Sequence, residues 1–202
     1  GGPKPILESS EGGDDILNGI GLTTGGYNYR AVACKWMAGE KSLMNDVKFV
    51  GGHGSMRRPT AQQPGAGAPS QAGGRQGGGI GMGQRAISSP SSPAYEQGPD
   101  LAWDNQYWSL WITRNGGGTF KDIWTANTYA TTGLYVSHTS TPARMYAISL
   151  EHHVRNEARF DNVSNWKIYA FQLEEESREG KECVMVDMSN CKNILFGNLW
   201  FY

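Results

Sequence analysis

Cysteine is scarce in this chain: Cys34, Cys183 and Cys191 are the only three in 202 residues. An odd number with no CxxC or Cys/His spacing excludes a disulfide scaffold and a familiar zinc site. They read as small core residues, with a Cys183–Cys191 bridge left open. No stretch approaches the roughly 20 apolar residues of a membrane span, and no charged start followed by an apolar run marks a signal peptide. Excess charge is missing too: 18 Lys+Arg stand against 19 Asp+Glu, and no basic run is longer than Arg57-Arg58. A nucleic-acid binder would carry a basic footprint, so a neutral partner is the expectation. Helical periodicity of ordinary length is absent as well.

What is present is glycine, tryptophan and tyrosine, at 28, 7 and 9 residues, within a composition that is 38% hydrophobic and therefore globular rather than disordered. Three regions separate. Residues 1–53 hold the apolar run Tyr29 to Met37 and the strand-like Val47-Lys48-Phe49-Val50 closed by Gly51-Gly52, and read as short strands and turns. Residues 54–99 are rich in Gly, Pro and Ser, with too little apolar surface to offset the entropy of ordering, and read as an insertion or long loop. Residues 100–202 alternate strand and turn, as in Trp108 to Thr113, Gly116-Gly117-Gly118 and Thr119 to Trp124. The chain opens on Gly1-Gly2-Pro3 and stops at Leu199-Trp200-Phe201-Tyr202, inside a predicted strand, so it reads as a piece of a longer protein.

A repeat lies in the third region. Moved forward by 23 residues, Tyr146 meets Tyr169, Ile148 meets Phe171, Leu150 meets Leu173 and Glu151 meets Glu174. Strand side chains alternate, so this register predicts Tyr146, Ile148 and Leu150 facing in, with Glu151, Gln172 and Glu174 facing out. By the same parity His153 faces out with Glu151, and His152 faces in. A third copy at an offset of 25 is predicted from Ser164-Asn165-Trp166-Lys167 against Ser189-Asn190-Cys191-Lys192, with Phe171 meeting Phe196. Strand repeats of two dozen residues without helices predict stacked coils. The fold class expected is all-β, a right-handed parallel β-helix of the pectate-lyase-like kind, present in part.

Coil stacking would bring Glu151 and Glu174 to adjacent turns, about 4.8 Å apart at the backbone. Two carboxylates that close must splay, share a proton or find a cation. One reading is a glycosidase pair, in which one carboxyl donates a proton to the leaving oxygen and the other activates water or attacks the sugar. The other is an acidic surface ladder in which Glu174 opens the run Glu174-Glu175-Glu176 and Glu151 pairs with Arg155 or Arg144. Two further alternatives stay open. One is a non-catalytic glycan-binding or structural β-helix. The other is a polysaccharide lyase using Arg155, Arg159 or Lys167 as base, for which the clustered carboxylates of a Ca²⁺ site are not evident. His138, His152 and His153 have no metal-ligand spacing, so neither metal nor cofactor is expected.

The segment Tyr146-Ala147-Ile148-Ser149-Leu150-Glu151-His152-His153, followed by Asn162-Val163-Ser164-Asn165 and Phe171-Gln172-Leu173-Glu174, resembles the family-55 glycoside hydrolases, with their Ser-x-Glu-His-His and Gln-x-Glu at this spacing. The likeness extends more faintly over residues 101–201. It implies a tandem parallel β-helix enzyme, an exo-acting β-1,3-glucanase that inverts the anomeric centre. Position by position it implies Glu174 as general acid, Glu151 as the acid that positions or activates water, and Gln172, His153 and Ser149 lining the sugar site. It also implies a polysaccharide or oligosaccharide partner, a second β-helix segment completing the cleft, and secretion or a periplasmic location. Where that family continues into an aromatic, proline-containing loop, this chain has Glu175-Glu176-Ser177-Arg178.

Overall fold

The computed structural model describes residues 2–25, 28–51, 106–127, 129–175 and 183–202. The stretch 54–99 lies outside the described residues. All regular structure among the described residues is β: β1 Lys4–Glu8, β2 Ile16–Thr23, β3 Ala31–Trp36, β4 Leu43–Val50, β5 Gln106–Ile112, β6 Gly118–Ala126, β7 Ala130–Thr139, β8 Ala143–Glu151, β9 Asn156–Glu174, β10 Val184–Ser189 and β11 Lys192–Phe201. From β1 to β8 odd strands pair with odd and even with even, always in parallel, as in β1 with β3, β5 with β7, β4 with β6 and β6 with β8. Long β9 belongs to both sheets, its first half beside β7 and β10 and its second half beside β8 and β11. The chain is thus a parallel β-solenoid of about five turns, as a parallel β-helix requires.

Register explains why these sequences stack. On one sheet the inward column is Leu17, Met44, Phe120, Met145, Ile168 and Phe196. Three residues on stand Ile20, Val47, Ile123, Ile148, Phe171 and Leu199. The facing sheet contributes Leu7, Cys34, Leu110, Leu134 and Ala158. Trp36 and Trp166 are fully buried among them, and Trp166 stacks on Phe120 at 5.9 Å. Each such side chain taken from water contributes about 1.5–3 kcal/mol, so columns of like residues hold the coils in register.

One backbone feature recurs on every turn and alters the expected facing. Gly19, Asp46, Asp122, Ala147, Ala170 and Asn198 all have φ between 50° and 66°. They occupy one row, each between the same two paired positions of its neighbours. A left-handed residue inside a strand inserts one unpaired position and bends it. Alternation therefore restarts there: Met145 and Ile148 face in, and the two residues between them face out. Tyr146, expected inside, is exposed and stacks on Tyr169 of the next coil at 5.6 Å with the rings 13° apart.

The 23-residue step holds: Tyr146 pairs with Tyr169, Ile148 with Phe171 and Glu151 with Glu174. The third copy sits differently. Ser164 pairs with Lys192 and Phe171 with Leu199, a step of 28 rather than 25. The Ser-Asn echo in the two segments is outweighed by core columns that seat Phe196 over Ile168. The cysteines are all free thiols; Cys34 is buried, and Cys183 and Cys191 are partly so.

Candidate carboxylate site

Ser149 and Glu151 follow Ala147 on β8, and Gln172 and Glu174 follow Ala170 on β9, so the bend aims both pairs outward from the same edge of the sheet. Glu151 stands directly opposite Glu174, and Ser149 opposite Gln172. The Ser149 hydroxyl donates to Glu151 Oε1 at 2.7 Å, and Gln172 Nε2 donates to Glu174 Oε2 at 3.5 Å. His152 Nε2 lies 3.9 Å from Glu151 Oε2, and the Glu151 side chain is only 13% exposed. Glu151 is therefore an oriented acceptor held from two sides. Arg144 is the second residue of β8, seven residues from Glu151 and about 20 Å along the strand. It is too far to pair with that carboxyl.

Beside the carboxyls an open groove of about 410 Å³ runs over Ala147, Ala170, Ser149 and Gln172 and is bounded by Trp200 and Tyr202 of the next coil. Its floor consists of the two left-handed alanines. Trp200 pairs with Gln172, which places its indole in the same outward row as Ser149.

His153 does not reach this site. The turn after Glu151 carries it inward, where it is 1% exposed. Its Nδ1 lies 2.5 Å from Glu157 Oε2, and its backbone N–H donates to Glu157 Oε1 at 3.0 Å. Nε2 faces Thr125 Oγ1 at 2.7 Å and Ser109 Oγ at 3.5 Å. With Nδ1 protonated, the ring donates to the carboxyl and accepts from the Thr125 hydroxyl, and each polar atom is satisfied. Ser109, Gly133 and Glu157 form one inward column on three successive coils. A Cβ at Gly133 would stand 2.5 Å from His153 Cε1, so glycine leaves the space that the ring fills.

Glu157, Ser109 and Thr125 escaped the sequence reading, because nothing local separates an inward polar residue from an outward one. A hydroxyl, an imidazole and a carboxyl in line is the order of an acyl-transfer triad. Here all four are buried in the core, and they brace the turn that presents Glu151. His152 is buried as expected, at 4% exposure. Among the described residues no group of three or more His, Cys, Asp or Glu is placed to hold a metal ion.

Compared with known proteins, the chain matches no family model and no curated protein sequence.

Proposed function

We propose that this chain carries the catalytic face of a glycoside hydrolase acting on a β-glucan, with β-1,3 linkages the first choice. The observation that carries the proposal is the direct pairing of Glu151 with Glu174 on adjacent coils, each with a hydrogen-bond donor from its own strand. Glycosidic cleavage asks for two carboxyl groups beside the scissile bond. In this reading Glu174 donates the proton to the leaving oxygen. Glu151, held by Ser149, orients the attacking water and accepts its proton, and Gln172 contacts the sugar. The Ser-x-Glu and Gln-x-Glu spellings, in register on the coil, are what favours the family-55 type over a lyase. A second β-helix segment closing the cleft, an extracellular or periplasmic setting and an inverting outcome belong to the same proposal.

The test is hydrolysis of laminarin-type glucan by the chain, with Glu174→Gln and Glu151→Gln alongside. General acid–base assistance is worth about 10²–10⁴-fold, so each variant should lose that much rate. Undiminished hydrolysis in both variants would sink the assignment. Products that absorb as conjugated double bonds would replace it with a lyase.

A further inference from the structure

The row of left-handed residues is unevenly filled. Four of its six positions hold Gly19, Asp46, Asp122 and Asn198, residue types that tolerate positive φ, whereas Ala147 and Ala170 hold it at 55° and 52°. An alanine in this conformation costs roughly 1 kcal/mol more than glycine. Both alanines are exposed and both floor the groove beside the carboxyls. An asparagine or aspartate there would project into that groove and narrow it. The strain thus sits where a short side chain keeps space open. Trp200, 61% exposed, stands at the far side of the same space.

We infer that Trp200 and the Ala147–Ala170 floor form a binding subsite for one pyranose ring of a neutral glycan, with the indole as stacking platform. The inference rests on the hydrolase reading for its choice of a sugar and deepens it by naming the ring chemistry. Among the described residues no Lys, Arg, Asp or Glu lines the groove itself, and its complement is an uncharged ring. A pyranose whose hydroxyls are all equatorial offers two flat C–H faces, one for the alanine methyls and one for the indole. Its hydroxyls at the edge meet the Gln172 amide and the Ser149 oxygen, whose own proton is directed to Glu151. Gluco-configured sugars meet that description, and an axial hydroxyl would break one face. The Trp200 edge of the subsite lies two residues along the strand from the carboxyls, about 7 Å, and the alanine floor four, about 13 Å, so the ring sits on the approach to the scissile bond.

The experiment is calorimetric titration of the folded Glu174→Gln chain with β-1,3-linked gluco-oligosaccharides, followed also by tryptophan fluorescence. Trp200→Ala should weaken binding about tenfold or more, ~1.4 kcal/mol, and Trp200→Tyr should recover most of it. Ala147→Asn should weaken binding while thermal stability stays level or rises, a combination that misfolding does not produce. Manno-oligosaccharides should bind more weakly than gluco-oligosaccharides. Affinity within twofold of the parent in both Trp200→Ala and Ala147→Asn, or no oligosaccharide binding at all, overturns the subsite. If Glu174→Gln abolishes hydrolysis but Trp200→Ala leaves affinity unchanged, the subsite fails and the hydrolase stands. Trp200-dependent binding without hydrolysis gives the converse.

Discussion

Removing either partner of the buried His153–Glu157 pair should cost the fold far more than removing an exposed one. The Glu157 side chain is fully shielded, and its carboxyl accepts from both the His153 backbone N–H and the ring. His153→Ala deletes the ring donor and the acceptor of the Thr125 hydroxyl, and opens a void over Gly133. Stripping a buried carboxyl of its partner costs about 3–5 kcal/mol, a large part of a typical stability of about 5–15 kcal/mol. Glu157→Ala should cost a similar amount by orphaning the imidazole. The double variant should fall short of the sum by roughly 1.5–3 kcal/mol, since either substitution already breaks the same contact. Urea denaturation followed by tryptophan fluorescence measures all four corners of the cycle, with the slope against urea checking that the reference states are unchanged. Single effects below about 1 kcal/mol, or additivity within about 0.5 kcal/mol, would refute a buried coupled pair.

Gly133→Ala should destabilise by about 1–3 kcal/mol, because its Cβ would lie 2.5 Å from His153 Cε1 and 2.9 Å from the Glu157 carbonyl oxygen. In a His153→Ala background the same change should cost less, read from the same urea midpoints. Burial pushes the Cys34 thiol up to about 12. The unfolded chain therefore releases a proton from about pH 9 that the folded chain retains. Stability should fall as pH rises through that window by up to ~1.4 kcal/mol per unit, and Cys34→Ala should flatten this limb in alkaline denaturation. With iodoacetamide under native conditions, Cys34 should be alkylated after Cys191, which is only partly buried; mass spectrometry orders them. Trp166→Ala, deleting a fully buried ring stacked on Phe120, should lower stability by about 3–5 kcal/mol in thermal melts.

Much of the coil was legible from residue types alone. Ile148 with Phe171, Leu150 with Leu173 and Glu151 with Glu174 recur at one spacing because each column of a solenoid wants the same kind of side chain on every turn. That recurrence determined the all-β class, the parallel stacking, the 23-residue step and the adjacency of the two acids. Tyr146 was misplaced because the left-handed bend at Ala147 leaves no mark in an alanine. The same bend is spelled out as Gly19, Asp46, Asp122 and Asn198 on other turns. The Ser-Asn echo near Asn190 suggested a step of 25, whereas the fit of whole columns sets 28.

His153 illustrates the remaining gap. Parity holds along a strand on either side of its left-handed bend, where each residue turns the chain by half a revolution, but it lapses at the bend and in a turn. The strand that carries Ser149 and Glu151 could thus be read outward from its own alternation. The inward swing of His153, the glycine that receives it and the Glu157 that binds it come from three positions on two coils. Likewise, Trp200 joins Ser149 and Gln172 only because a third coil lies beside them. Residue order determined which side chains repeat; stacking the coils decided which of them meet, because contacts between turns depend on backbone bends and on register that no single segment encodes.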